Sequence, residues 1–336
     1  SPIDIRGGIG LDLEPIRYTL VTGASGFVGS ALVRQLVSRG RPVAAAARSR
    51  LAISASPLLR QHSGLDLAAE TDWSAALAQV DTVIHCAARV HMLNDRASDP
   101  LTAFRQTNLG GTVALAEQAA NAGVRRFVFV STVGVLGTNT HGQPFCADSP
   151  AHPHSPYAVS KWEAEQALHA ISQRTDMEAV VIRPPMVIGA NAPGNFARLL
   201  GLIDRGLPLP MATVNNRRSF VALGNLVDLL CHVAVHPKAS GGTYLVSDGE
   251  DLSTTELLRR TTLALGRPIR LFPFPATVLR WILQRLGRDE LAQSLLGSLQ
   301  VDVTTTCKAL NWAPPFTIDS ALREAALAYQ RRPSLA

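Results

Sequence analysis

The amino-acid sequence predicts an α/β fold, a doubly wound parallel sheet with a smaller, mixed C-terminal lobe. Three observations carry that expectation. Short β-branched or apolar runs alternate with helix-periodic stretches through the first half of the chain. A glycine-rich turn joins the first such run to the first helix. After Arg183-Pro184-Pro185 the rhythm gives way to Gly/Pro/Asn-rich loops, at 189–195 and 207–210, mixed with helices. The chain has 336 residues, 46% apolar and 17% charged, which suits one core-forming domain and a companion lobe and argues against disorder.

The elements follow in order. Residues 1–16 hold two prolines and three glycines without a Met start or a signal-peptide core, and are expected to be a leader or an expression remnant. Strands are expected at Tyr18–Thr22, Val43–Ala47, Thr82–Cys86, Phe127–Ser131 and Ala179–Arg183, with a short third strand before Asp66. Helices are expected at Ser30–Ser38 before Gly40, at Leu101–Ala122 before Gly123, and at Tyr157–Ser172. A last strand-like run, Thr243–Ser247, precedes a helical region opening at Asp251-Leu252-Ser253. The expected division is a dinucleotide-binding domain over 17–187 with a return segment at about 217–247, and a substrate lobe over 188–216 and 248–330.

Composition removes several function classes. No apolar run reaches the ~18 residues of a membrane span, since Leu226–Val235 is broken by Asp228 and His232. The formal charge is +6, but the arginines are scattered singly or in pairs rather than gathered into basic runs with interleaved aromatics, so no nucleic-acid partner is expected and a small phosphorylated ligand or a plain compositional bias is. Cys86, Cys146, Cys231 and Cys307 lie far apart with no Cys-x-x-Cys pair, as in a reduced cytoplasmic protein. His152-Pro153-His154 and His232-x-x-x-His236 lack the remaining ligands of a zinc site, and no metal is expected.

Thr22-Gly23-Ala24-Ser25-Gly26-Phe27-Val28-Gly29 directly follows the first strand and opens a helix. Glycines at 23, 26 and 29 permit a tight turn, close approach of the backbone to a pyrophosphate and helix-on-sheet packing, the Rossmann-type arrangement. Free N–H groups of Ser25, Phe27 and Val28 would face the phosphates. An NAD-preferring site places a carboxylate at the end of the second strand, about 20 residues on. Here that strand ends in alanines followed by Arg48-Ser49-Arg50, whose guanidiniums and hydroxyl suit a 2′-phosphate. NADP(H) is therefore favoured, with NAD(H) possible. Asp66 and Leu67 would lie beside the adenine, and Ala87 and Ala88 are small enough to let the ribose-pyrophosphate pass.

Tyr157 and Lys161 are spaced four apart, on one helix face, although the chain has only four tyrosines and only three lysines among its 32 basic residues. An ammonium and a cationic nicotinamide ring favour phenolate, which would bring the phenol toward working pH as an acid/base. Thr132, with Ser131 second, is the candidate hydroxyl for the reacting oxygen of the substrate.

The Thr-Gly-x-x-Gly-x-x-Gly turn, Ser131-Thr132, Tyr157-x-x-x-Lys161 and Arg183-Pro184-Pro185 together resemble the extended short-chain dehydrogenase/reductase family. The segments Gly194-Asn195-Phe196, Arg217-Arg218-Ser219, 245–253 and 296–302 resemble its sugar-nucleotide 4-epimerase and 4-ketoreductase branch of bacterial O-antigen clusters. The resemblance implies Tyr157 as acid/base, Lys161 on the nicotinamide ribose, Thr132 on the sugar's 4-oxygen and Asn108 as a brace at the cofactor site. It also implies Pro184 at the cofactor, Asn195 and Arg218 on the substrate diphosphate, and a homodimer through the Leu101–Ala122 and Tyr157–Ser172 helices. His91 is a weaker candidate for the sugar pocket. The function expected is an NADP(H)-dependent 4-keto reductase of a UDP-linked, 2-acetamido hexose. The alternatives are a UDP-sugar 4-epimerase with retained NAD, a reductase of apolar ketones or steroids, and a dinucleotide-sensing regulator.

Overall fold

A computed structural model describes residues 16–90 and 99–331. Strands β1 (Tyr18–Thr22) and β2 (Val43–Ala47) flank helix α1 (Phe27–Ser38), and β3 (Leu59–Ser63) follows. After the short α2 (Ser74–Leu77) come β4 (Val80–His85), α3 (Pro100–Phe104), a π-helical stretch Arg105–Gly111 and α4 (Thr112–Asn121). Then follow β5 (Arg126–Val130), α5 (Pro156–Gln173), β6 (Glu178–Arg183) and β7 (Met186–Ile188). The remainder is α6 (Asn195–Asp204), β8 (Arg218–Ala222), α7 (Leu223–Val235), β9 (Thr243–Leu245), β10 (Asp251–Leu252), α8 (Thr254–Ala264), α9 (Ala276–Arg285), α10 (Asp289–Leu296), α11 (Thr304–Leu310) and α12 (Ile318–Gln330).

Seven strands form one parallel sheet in the order β3-β2-β1-β4-β5-β6-β9. β1, β2 and β5 are buried or nearly so along their length because helices cover both faces. One core packs α1 and α7 against the sheet through Leu32, Leu36, Leu226 and Leu230, and a second packs α4 and α5 against its other face through Leu115, Phe127 and Leu168. Connectivity runs outward in opposite directions from β1 and β4, so their carboxyl ends open a crevice where ligands bind.

A three-stranded sheet, β10-β8-β7, and helices α6, α8, α9, α10 and α12 build the smaller lobe around Phe196, Phe220, Leu258 and Leu322. Within the expected return segment, β8 pairs in this small sheet, whereas α7 and β9 rejoin the large one. Phe27, at the start of α1, packs against the small lobe's core and so ties the glycine turn to it.

Candidate active site

β1 delivers the chain into the glycine turn under tight constraint. Gly23 has φ +65°, and a Cβ there would lie 2.8 Å from the backbone nitrogen of Ala87. A Cβ on Gly29 would lie 2.2 Å from the Gly23 carbonyl oxygen, so only a bare backbone lets α1 meet the turn. Gly26 caps α1 without a side chain and no acidic residue occupies the first turn, which leaves the helix N-terminus free to receive an anion.

Beneath the turn, Thr22 Oγ1 lies 2.6 Å from His85 Nδ1, and His85 Nε2 lies 2.9 Å from Thr112 Oγ1, linking β1, β4 and α4. Burial, aided by the Lys161 charge, holds the His85 imidazole well below its usual range, so it bonds as the neutral ring.

A cleft of about 340 Å³ opens above this floor. Gly23, Ser25 and Gly26 form one wall and Ala87 and Ala88 the facing one, while Arg48, Asp66 and Leu67 close the outer end. The fit to a dinucleotide rests on the bare backbone of Gly23 and Gly26 and on the small side chains of Ala87 and Ala88 opposite. Ser49 and Arg50 are exposed and do not line it, and Phe27 and Val28 turn into the protein core instead. Arg48 Nε stands 3.9 Å from Asp66 Oδ1, both well exposed, so a cation and a carboxylate share the outer end of the cleft. Trp73, Arg89 and Thr107 also line the cleft; order along the chain did not single them out because they reach it from loops and from the π-helical stretch.

Ser155 caps α5 by accepting from the Ala158 N–H at 3.1 Å, and Pro156 begins the helix, which fixes Tyr157 in its first turn. Asn108, in the π-helical stretch, accepts from the Arg89 N–H at 2.7 Å and donates to the Arg89 carbonyl and to Ser160 Oγ, each at 3.0 Å. Ser160 in turn donates to the Tyr157 carbonyl at 2.8 Å. Asn108 thus staples the strand end that lines the cleft to the helix that carries Tyr157 and Lys161.

Tyr157 is half-buried, edge-on to Phe104 with ring centres 6.0 Å apart. The Lys161 ammonium is 1% exposed and lies 3.9 Å above the Phe129 ring. Burial pushes the phenol up to about 12 and the ammonium down to about 7, with Glu165 partly restoring the latter. This corrects the expectation of a phenol lowered by its neighbour: without a bound cation, loss of solvent outweighs the lysine's charge and the phenol holds its proton.

Thr132 Oγ1 accepts from the Gly134 N–H at 3.1 Å, which leaves its own O–H proton to donate. Ser131 is spent elsewhere, since its hydroxyl donates to the buried Glu165 carboxylate. Glu165 also pairs with Arg183 at 2.6 Å, and Arg183 reaches the Ala147 carbonyl at 3.2 Å. The backbone of Pro184 accepts from the Val133 N–H at 2.9 Å, fixing the turn after Thr132. Glu165 follows Lys161 by four residues, and that spacing could have disclosed it.

In the small lobe, Asn195 begins α6 after Gly194 and lines a groove of about 450 Å³ with Arg198 and residues 287–291. Arg218, at the start of β8, donates to the Gly297 carbonyl at 3.0 Å, and burial lowers it to about 10. It does not line the Asn195 groove. His91 lies outside the described residues. Among the described residues no group of three His, Cys, Asp or Glu side chains is placed to hold a metal, and no helix is long and apolar enough to cross a membrane.

The parallel sheet, backbone cradle and Tyr157/Lys161 helix define an enzyme of the extended short-chain dehydrogenase/reductase class. The chain belongs to the NAD dependent epimerase/dehydratase family, whose sequence profile matches residues 19–247. It is 39% identical over 320 residues to a UDP-glucose 4-epimerase of Vibrio cholerae, covering 95% of this chain and 97% of that one. It is 27% identical over 275 residues to an N-acetyl-alpha-D-glucosaminyl-diphospho-ditrans,octacis-undecaprenol 4-epimerase of Escherichia coli O157:H7, covering 77% and 76% of the two chains. The solved structure of MoeE5 with UDP-glucuronic acid and NAD superposes with TM-score 0.75 at 25% identity, covering 93% of this chain and 99% of that one.

Proposed function

We propose that this protein inverts C4 of a UDP-linked hexose by removing and returning a hydride, acting as a UDP-sugar 4-epimerase. The observation that carries the reading is the half-buried Tyr157 one turn from the buried Lys161, beside a glycine-walled cleft, in a chain 39% identical to a UDP-glucose 4-epimerase along almost its whole length. A bound nicotinamide dinucleotide would supply the hydride acceptor and donor and the local positive charge.

The chain's own residues do the rest. Thr132 donates a hydrogen bond to the 4-oxygen and orients it. Tyr157 moves the proton at that oxygen, taking it as the keto sugar forms and returning it as the alcohol is restored. Lys161 holds the nicotinamide ribose and supports the phenolate. Asn108 keeps the strand end and the helix in register. Asn195 and Arg218 are assigned to the diphosphate, by amide and guanidinium chemistry.

One observation favours a second reading, a 4-keto-sugar reductase fed by exchangeable NADPH: Arg48 at the ribose end of the cleft, where an NAD-type site would carry a carboxylate at the end of β2. Asp66, 3.9 Å away, is the counterweight that lets the same end accept a ribose hydroxyl. We further propose a homodimer through α4 and α5.

The test gives the protein UDP-glucose or UDP-N-acetylglucosamine with NAD⁺ and no reductant, and separately a UDP-4-keto-6-deoxy sugar with NADPH. Appearance of the C4 epimer in the first mixture supports the epimerase. NADPH consumption in the second, with no epimer in the first, selects the reductase.

A further inference from the structure

The small lobe carries an apolar, basic strip apart from the dinucleotide cleft. Helix α9 fully buries only Leu279, whereas Trp281 is 57% exposed and Leu286, just past its end, 68%. Val278, Trp281 and Arg285 are spaced three and four apart and share the outward face. Ile269 and Phe272, also exposed, precede the helix. Phe272 N–H donates to the Leu209 carbonyl at 3.0 Å, which brings the exposed Leu207 to the same edge. Scattered exposed apolar residues need no explanation, but a run of them along one edge marks an interaction surface.

Charge identifies the partner. Residues 267–288 contain five arginines and no aspartate or glutamate, and the exposed Asp289 and Glu290 follow at the start of α10, so the stretch 267–290 keeps a net charge of +3. Arg267 pairs with Asp204, but Arg280, Arg285 and Arg288 form no ion pair among the described residues. The Arg285 guanidinium lies 5.3 Å above the Trp281 ring. Tryptophan, leucine and phenylalanine among an excess of cations, with acids only at the far end at Asp289 and Glu290, is the composition of an interfacial segment on anionic lipid. A second copy of this chain would bring the same cationic strip against itself, which like-charge repulsion opposes.

We propose that the outward face of α9, with the 269–272 segment, docks this protein reversibly on an anionic bilayer surface. The strip ends at Gly287 and Arg288, which line the groove shared with Asn195, so docking sets that groove at the lipid surface. The inference does not depend on the reaction proposed above.

The test mixes the full chain with vesicles of phosphatidylcholine alone or with about 30% phosphatidylglycerol, at about 0.1 M and about 0.5 M salt. Sedimentation and tryptophan emission are read together. Trp281 is the exposed one of four tryptophans, since Trp73 and Trp312 are buried and Trp162 half-buried. The expected result is co-sedimentation with the anionic vesicles, a blue-shifted emission quenched by brominated lipid, and roughly tenfold weaker binding at the higher salt. Arg285→Gln weakens binding roughly fivefold, and Trp281→Ser abolishes the emission shift with unchanged thermal unfolding. Equal binding to both vesicle types, or none to either, overturns the proposal. So does a fall in molar mass of Trp281→Ser by light scattering, which would show that a second copy covers this face.

Discussion

Tyr157 and Lys161 stand one helical turn apart in a place that strips water from both, and each is driven toward its neutral form. For the proposed reaction, this would mean a phenol that holds its proton until charge arrives beside it. Tyr157→Phe is expected to lower turnover by roughly 10²–10⁴-fold with dinucleotide affinity unchanged, measured by kcat and by dinucleotide titration. Lys161 gives a stability signature. Its folded value of about 7 lies below the unfolded one near 10.5, so between these the unfolded chain binds the extra proton. Stability of the dinucleotide-free protein should therefore rise with pH from about 7 toward 10, by up to ~1.4 kcal/mol per unit from this group. Lys161→Met should flatten that part of the slope in urea titrations. The pair was legible in the sequence because few tyrosines and lysines make a four-residue spacing informative. The Glu165 carboxylate lies on the same helix, but its partners Ser131 and Arg183 come from the ends of two other strands, which only the folded sheet brings together.

At the scale of elements, the glycine turn is the part that sequence disclosed most fully, since strand, glycines and helix are contiguous. What contiguity could not disclose is what each glycine touches, because Ala87 and the Gly23 carbonyl approach through tertiary packing. Gly29→Ala forces a methyl to within 2.2 Å of that carbonyl. The variant should lose at least about tenfold in dinucleotide affinity by calorimetry and about 1–3 kcal/mol of stability. The expected single helix at Leu101–Ala122 is interrupted by a π-helical stretch, which leaves the helix-like apolar pattern in place while re-aiming Asn108. Its cause lies in partners at Arg89 and Ser160, 19 and 52 residues away in the chain.

Across the whole molecule, ligand and fold are coupled through the crevice between β1 and β4 and through Phe27, which joins the glycine turn to the small lobe's core. Dinucleotide binding should then raise the unfolding temperature of the entire chain, by an amount set by affinity. Arg48 makes that shift discriminating: Arg48→Ala should reduce the stabilisation by NADPH far more than that by NADH, and equal loss for both would remove the basis for an NADP(H) preference. The parallel sheet was readable from alternation. The small lobe was less so, because β7, β8 and β10 are two to five residues long and pair across 30 or more positions. Asn195 and Arg218 were named from the family resemblance, yet they reach different surroundings, a groove at residues 287–291 and the carbonyl end of α10.

The proposed epimerisation requires that a hydride leave and return at C4 within one active site. The most direct measurement follows UDP-glucose deuterated at C4 by NMR, with the protein and NAD⁺ as the only additions. The expected product is UDP-galactose that keeps its deuterium at C4, formed roughly 10²–10⁴-fold more slowly by Tyr157→Phe. Product that has lost the label to solvent would contradict it, as would no inversion of UDP-glucose or UDP-N-acetylglucosamine with either NAD⁺ or NADP⁺.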